Sequence, residues 1–314
     1  MSILRRLFKV LAWLLAIAYI GLVAYAYWPS GIVEVPAQSL AGSNDRFVDV
    51  NGMDLRYRTF GTPAPDRPNM VLIHGFGNSL QSFRLLGPLL ADDFYVITVD
   101  LPGFGLSAKP VDYDYRGPNQ ARTVSAFIHA LGLKRTIIGG HSLGGAIALR
   151  VAVEEPEVIG LLLMNPGIIS TGVPAITEYL FFPLPRLSAK QFTDRAFREQ
   201  FLKLSFVDQS VVTSEVIDDL MLATRSEGYM AGTTSMMGQY ESASEVTLLD
   251  QVKVPTVIVW GEKDRNKTPE ELAALRAGLR NSSVVAVPGA GHYVHEEDPD
   301  AVAKGVIDAK VLWK

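Results

Sequence analysis

Apolar and polar positions along the 314-residue chain change rhythm several times. From Val10 to Trp28 no charge interrupts the run VLAWLLAIAYIGLVAYAYW, and it is apolar on every side rather than along one stripe. That length suffices for a helix to cross a bilayer. Trp13, Tyr25, Tyr27 and Trp28 fall near its two ends, where aromatic rings favour the interface. Arg5, Arg6 and Lys9 precede the run and only Glu34 follows closely. The positive-inside rule therefore predicts a cytoplasmic N-terminus and an exported remainder. The small-x-small triplet Ala24-Tyr25-Ala26 leaves a cleaved signal peptide, and so a secreted product, as the alternative. Residues 1–28 are read as a single-pass anchor. Residues 29–45 (PSGIVEVPAQSLAGSND), rich in turn formers and without periodicity, are read as a linker.

After the linker the pattern becomes regular. Arg46–Val50 and Leu55–Phe60 flank Asn51-Gly52, a hairpin-turn signal. Short apolar runs at Met70–Ile73, Tyr95–Val99, Thr136–Ile138, Leu161–Met164, Thr256–Trp260 and Val284–Val287 predict strands. Helical patterns at Asn119–Leu131, Leu143–Val153, Pro269–Leu279 and Pro299–Val311 alternate with them, the last with Asp298 as N-cap and proline at the first position. Strands alternating with helices imply a mostly parallel sheet covered on both faces.

One stretch breaks the alternation. Residues 166–246 show only helix-like segments rich in Phe, Tyr, Met and Leu, too long for a loop, and are read as an inserted helical cap. Residues 46–165 and 247–314 then form one α/β core. The apolar cap residues, among them Tyr179, Leu180, Phe181, Phe182, Phe192, Met236 and Met237, are expected to divide between cap packing and the lining of an acyl-sized pocket.

Composition narrows the chemistry. A net charge of −4 and the lack of a Lys/Arg-rich run beyond the N-terminus argue against nucleic acid as a partner. With no cysteine, thiolate nucleophiles, thiolate metal sites and disulfides are excluded. Nothing in the pattern calls for a cofactor, and His292-x-x-His295-Glu296-Glu297 matches no zinc spacing.

Gly140-His141-Ser142-Leu143-Gly144 has the form G-x-S-x-G between a predicted strand and a predicted helix. A serine in so sharp an elbow is strained, and small residues two positions away on either side relieve the crowding. A serine hydroxyl needs a base. Of five histidines, His129 lies in an amphipathic helix, His141 adjoins the serine and His74 opens the His74-Gly75-Phe76-Gly77 turn. His292 follows Gly289-Ala290-Gly291 in the loop after the last strand, and is preferred to His295. The base in turn needs a carboxylate, and Trp260-Gly261-Glu262-Lys263-Asp264 offers Glu262 and Asp264 after the preceding strand. For the oxyanion of an acyl-transfer intermediate, the N–H groups of Leu143 and Phe76 are the expected donors.

These motifs together resemble the capped α/β-hydrolase superfamily, in its serine-nucleophile branch, over about residue 46 to the C-terminus. The segment Asp100-Leu101-Pro102-Gly103-Phe104-Gly105-Leu106-Ser107 is similar to one that recurs in that family with a structural role. The resemblance implies the α/β-hydrolase fold, with Ser142 as nucleophile, Asp264 of the W-G-x-x-D turn as acid and His292 as base. Dehalogenases and epoxide hydrolases of this fold use an Asp nucleophile, which Ser142 excludes. An anchor ahead of such a domain looks like the membrane-anchored monoacylglycerol lipases and bacterial lipases and esterases. The expected activity is therefore cleavage of a small-molecule, lipid-like or medium-chain ester. Carbon–carbon hydrolases of vinylogous diketones come second, because their usual residues differ from Asn78-Ser79 and Tyr293. A non-catalytic binding protein comes third. Oligomeric state is left open.

Overall fold

The computed structural model describes residues 2–171, 180–239, 241 and 245–313, so Tyr179 lies outside the described residues. An eight-stranded sheet in the order β1-β2-β4-β3-β5-β6-β7-β8 is its spine. β1 (Arg46–Val50) and β2 (Met53–Phe60) form the predicted hairpin, with Asn51 and Gly52 both at positive φ, as a two-residue turn of this hand requires. β2 pairs antiparallel with β4 (Tyr95–Val99). From β4 onward β3 (Asn69–Ile73), β5 (Thr136–His141), β6 (Val158–Met164), β7 (Thr256–Gly261) and β8 (Ser282–Val287) are parallel.

Side-chain alternation along these strands makes two cores. Val71, Ile73, Leu161, Leu163, Ile258 and Trp260 face one layer, covered by α3 (Gly117–Ala130), α4 (Leu143–Glu154) and α9 (Pro269–Gly278). Met70, Leu72, Leu162, Met164, Val257 and Val259 face the other, under α2 (Leu86–Leu90) and α11 (Pro299–Asp308). Both faces are dry, which is why the strands read as unbroken apolar runs. Each large aliphatic side chain buried this way contributes about 1.5–3 kcal/mol. Asp298 caps α11 through the Ala301 N–H, as its spacing predicts.

Between β6 and β7 the described residues form helices α5 (Leu184–Gln191), α6 (Arg195–Lys203), α7 (Ser214–Arg225) and α8 (Tyr229–Gly238), and no named strand. Asp194 and Thr213 cap α6 and α7 by accepting from Phe197 N and Val216 N. Leu202, Phe206, Val216, Ile217 and Leu220 close a small core of their own onto Tyr293, the residue after His292.

The N-terminal helix α1 (Ser2–Tyr27) is 26 residues long, about 39 Å at 1.5 Å per residue, and apolar enough to cross a membrane. Its side chains are almost all exposed, Ala26 excepted. Residues 29–45, read from sequence as a linker, are not free of the body. Val35 N donates to Arg225 O at 2.8 Å and Val35 O accepts from Glu227 N at 2.9 Å. Asp45 pairs with Arg58 at 2.5 Å and lies 3.7 Å from Arg56. The missing periodicity reflects a strap held by its backbone and by single charges, which no hydrophobic pattern records.

Candidate functional site

β5 runs into α4 through Ser142, whose φ of 50° and ψ of −117° lie outside the regions open to ordinary residues. Such strain costs on the order of 1–3 kcal/mol and persists only where the surroundings enforce it. Here they do: Ser142 O accepts from Gly145 N, Ala146 N and Gly167 N at 2.9, 3.2 and 2.8 Å. A Cβ on Gly140 would stand 2.2 Å from the Gly144 backbone, and one on Gly144 would stand 2.2 Å from Ile73 O, so the elbow closes only around glycine at both positions.

Ser142 is 7% exposed and opens onto a cavity of about 350 Å³. His292, Phe76 and Leu143 line the same cavity, with Phe192, Met236 and Met237 among its apolar walls. His292 Nδ1 stands 2.6 Å from Asp264 Oδ2. Glu262, the other carboxylate of that loop, is exposed. Of the remaining histidines, His129 points outward onto Glu155, while His295 is buried against Phe83 and His141. Among the described residues no cluster of three or more His, Asp or Glu is placed to hold a metal ion.

The Asp264 carboxylate is well supported. Its Oδ2 also accepts from Asn165 Nδ2 at 2.7 Å, and its Oδ1 accepts from Asn266 N at 2.8 Å. Burial alone would raise its pKa, but His292, the Asn266 N–H and the Asn165 amide together hold it below the usual carboxylate range. Asn165 itself sits at a positive φ of 39° and accepts from Gly261 N through Oδ1 at 2.8 Å, so its amide bridges the ends of β6 and β7.

The Phe76 turn is braced from both sides. His74 Nδ1 donates to Gly75 O at 2.8 Å and its Nε2 accepts from Leu101 N at 3.2 Å, a pattern only the neutral ring provides. Burial pushes the pKa of His74 down, in agreement. Asp100 accepts from Leu80 N, Leu106 N and Arg56 Nε at 2.7, 2.8 and 2.6 Å, which fastens the Asp100–Ser107 segment to the chain just past the turn. From the inserted helices, buried Arg198 donates to Gly77 O at 3.3 Å and to the Tyr229 hydroxyl at 3.1 Å.

A family model of the alpha/beta hydrolase family matches residues 70–305. The chain belongs to that family. It is 30% identical over 261 residues to the uncharacterized hydrolase YugF of Bacillus subtilis, covering 82% of this chain and 95% of that protein. It is 28% identical over 286 residues to a 2-hydroxy-6-oxo-6-phenylhexa-2,4-dienoate hydrolase of Burkholderia cepacia, covering 85% and 96%. Among solved structures, a membrane phospholipase A described as a bacterial virulence factor superposes with a TM-score of 0.69 at 26% identity. That match covers 98% of this chain and 96% of the other.

Two features of this alpha/beta hydrolase escape sequence reasoning. Asn165 is one, since a neutral amide after β6 is visible only as a residue that cannot carry charge. His141 is the other. Its ring is fully buried 4.6 Å from that of His292, and its Nε2 lies 2.9 Å from His292 O, where it can only donate. Burial, then the neighbouring His292 and His295, push the His141 pKa well down and keep the ring neutral. The neutral form lets His141 steady the His292 backbone without adding charge beside it.

Behind the His292 loop, α10 (Val294–Glu297) carries Glu296, buried and paired with Arg84. Burial outweighs the Arg84 charge and pushes this carboxyl from the ordinary 4.5 up to about 7. Between those values the native state holds a proton that the unfolded chain releases. The group's contribution to stability is therefore complete below pH 4.5 and is lost as pH rises toward 7. Glu296→Gln removes that slope, so its unfolding free energy relative to wild type should climb by about 3 kcal/mol from pH 4.5 to 8. Urea titrations at the two pH values measure the difference, and parallel behaviour of the two proteins would refute it.

Proposed function

We propose that this hydrolase cleaves carboxylic esters with lipid-like or medium-chain acyl groups through an acyl-enzyme on Ser142. The observation that carries the proposal is the shared apolar cavity onto which Ser142 and His292 both open, with His292 held by Asp264 at 2.6 Å. In the proposed reaction Asp264 keeps the proton on Nδ1, leaving Nε2 to take the Ser142 proton as Oγ attacks the ester carbonyl. The Phe76 and Leu143 N–H groups meet the oxyanion, Leu143 from the first turn of α4, where helix N–H groups lack intrahelical partners. His292 then returns the proton to the leaving alkoxide, and water repeats the sequence on the acyl-enzyme.

The phospholipase likeness and the apolar lining support a lipid-like substrate. The dienoate hydrolase likeness supports a second reading, carbon–carbon cleavage of a vinylogous diketone acid. Against it stands the charge of the cavity. Among the described lining residues Arg116 is the sole Lys or Arg, and Asp114 holds it at 2.8 and 3.0 Å; Arg198, in the adjoining pocket behind Phe192, is turned onto Gly77 O and the Tyr229 hydroxyl. Each methylene buried in an apolar pocket contributes about 0.8 kcal/mol, so kcat/KM on p-nitrophenyl esters should climb roughly threefold to fourfold per carbon until the pocket fills. A flat profile from acetate to octanoate, with high activity on a vinylogous diketone acid, would transfer the assignment to carbon–carbon hydrolysis.

The proposed placement is an uncleaved α1 with the catalytic body on the exported side, supported by the Arg5, Arg6 and Lys9 flank. A reporter active only outside the cytoplasm, fused after Lys314, should be active. A mature protein that begins near Tyr27 in the soluble fraction would establish the cleaved signal instead.

A further inference from the structure

A helix ends with carbonyls that have no intrahelical partner, and cations are stabilising there. At the end of α1 two side chains of α5, one turn apart, supply the donors. Lys190 Nζ donates to Tyr25 O at 2.6 Å and to Trp28 O at 2.8 Å, and Arg186 Nε donates to Ala26 O at 3.1 Å. Lys190 also lies 4.4 Å over the Tyr25 ring and Arg186 4.4 Å over the Tyr27 ring. Higher on α1 the Tyr19 hydroxyl donates to Phe182 O at 3.2 Å, and the Phe182 ring is 6.0 Å from that of Tyr27. The strap continues the join: Glu34 accepts from Gly228 N and Met230 N at 2.9 and 3.2 Å, capping α8. Both α5 and α8 wall the Ser142 cavity, through Ser188 and Gln191 and through Met236 and Met237. The apolar helix is thus fastened to the walls of the cavity.

The level at which α1 leaves a bilayer is marked by Tyr25, Tyr27 and Trp28, all exposed. Phe181 and Phe182 are 68% and 53% exposed beside them, and their neighbour Leu180 lines the cavity. We propose that Arg186 and Lys190 clamp α1 to α5 so that Phe181 and Phe182 are held in the lipid interface, with the Leu180 wall of the cavity turned to the leaflet. The occupant of this aromatic face is the bilayer, because the face continues the exposed apolar surface of α1, which no soluble partner would cover along its length. The proposal rests on the membrane-anchored ester hydrolase reading above and adds the orientation of the cavity toward the leaflet.

The chain contains no cysteine, so a single introduced one can be labelled cleanly. Phe182→Cys and, on the outer side of α11, the exposed Lys304→Cys are each labelled with a nitrobenzoxadiazole fluorophore in the full-length protein. Both are reconstituted in phosphatidylethanolamine–phosphatidylglycerol vesicles containing nitroxide-labelled lipid. Quenching at 182 should exceed that at 304 roughly fivefold or more, and should fall by about half or more when Arg186→Ala and Lys190→Ala are added to Phe182→Cys. Lys190→Arg, which keeps a donor and a charge, should preserve it. Equal quenching at the two sites, a label at 182 shielded from nitroxide by a second copy, or indifference to loss of the clamp would each overturn the proposal. In parallel, the double variant Phe181→Asp/Phe182→Asp should lower turnover of vesicle-borne monoacylglycerol roughly tenfold and leave soluble p-nitrophenyl butyrate unchanged. Loss of both activities, or of neither, counts against the proposal. If the wild type cleaves no ester at all, the ester reading fails, while the quenching result still decides the orientation.

Discussion

Replacing Ser142 with alanine should abolish labelling by a fluorophosphonate probe and lower kcat on any ester substrate by roughly a millionfold, the scale seen when a triad nucleophile is removed. The loss is so large because the proposed serine, base and acid act as one unit, and the remaining rate comes only from oxyanion stabilisation and binding. Alanine removes one oxygen from a residue that is 7% exposed and keeps the strained backbone, whose hydrogen bonds run through Ser142 N and O. Circular dichroism and melting temperature should therefore change little. Equal labelling of wild type and variant would place the nucleophile elsewhere. Labelling lost together with the fold would show that the elbow needs the hydroxyl, and Ser142→Cys would then separate the two effects by retaining a nucleophile of similar size.

How far the chain discloses this arrangement depends on the kind of interaction. The central strands are legible because both faces of a parallel sheet are dry, which leaves Met70–Ile73 and Leu161–Met164 as unbroken apolar runs. Their ends are less so. β5 continues through Gly139, Gly140 and His141, residues that carry no strand propensity and are held by pairing to β3 and β6. The elbow and the chain order of Ser142, Asp264 and His292 are legible because each follows a recognisable strand. The partners that steady them are not. Asn165 reaches Asp264 only because β6 and β7 pair in the register Met164↔Val259, which puts Asn165 N 3.1 Å from Val259 O and its amide beside the Asp264 carboxylate. His141 meets His292 across 151 residues of sequence. The strap rests on backbone hydrogen bonds and on the single carboxylates of Glu34 and Asp45, and the α1–α5 contacts rest on carbonyls, which every residue has, so composition and periodicity are silent about both.

The His292–Asp264 pair yields the other large effect. Asp264→Asn preserves size and one acceptor oxygen, yet the amide offers His292 Nδ1 either an N–H or a neutral oxygen in place of a carboxylate. The wrong tautomer of His292, with the proton on Nε2, then competes, and kcat should fall by about 10⁴-fold with KM little changed. His292→Ala should cost roughly a thousandfold or more, whereas His295→Ala, which removes a buried ring packed on Phe83 and His141, should act chiefly on stability. Asn165→Ala discriminates a supporting role from a chemical one. It deletes the 2.7 Å hydrogen bond to Asp264 and the 2.8 Å bond from Gly261, while the carboxylate keeps Asn266 N and His292. Losing such bonds costs on the order of 1–3 kcal/mol, so a tenfold to hundredfold fall in kcat is expected. The acidic limb of the pH–rate profile should also move upward, because a carboxylate with fewer donors is easier to protonate. An Asp264→Asn enzyme that keeps more than about a tenth of its kcat would shift the acid to another carboxylate, Glu262 first. Equal losses for Asn165→Ala and Asp264→Asn would mean that Asp264 acts through the fold of the loop and not through its charge.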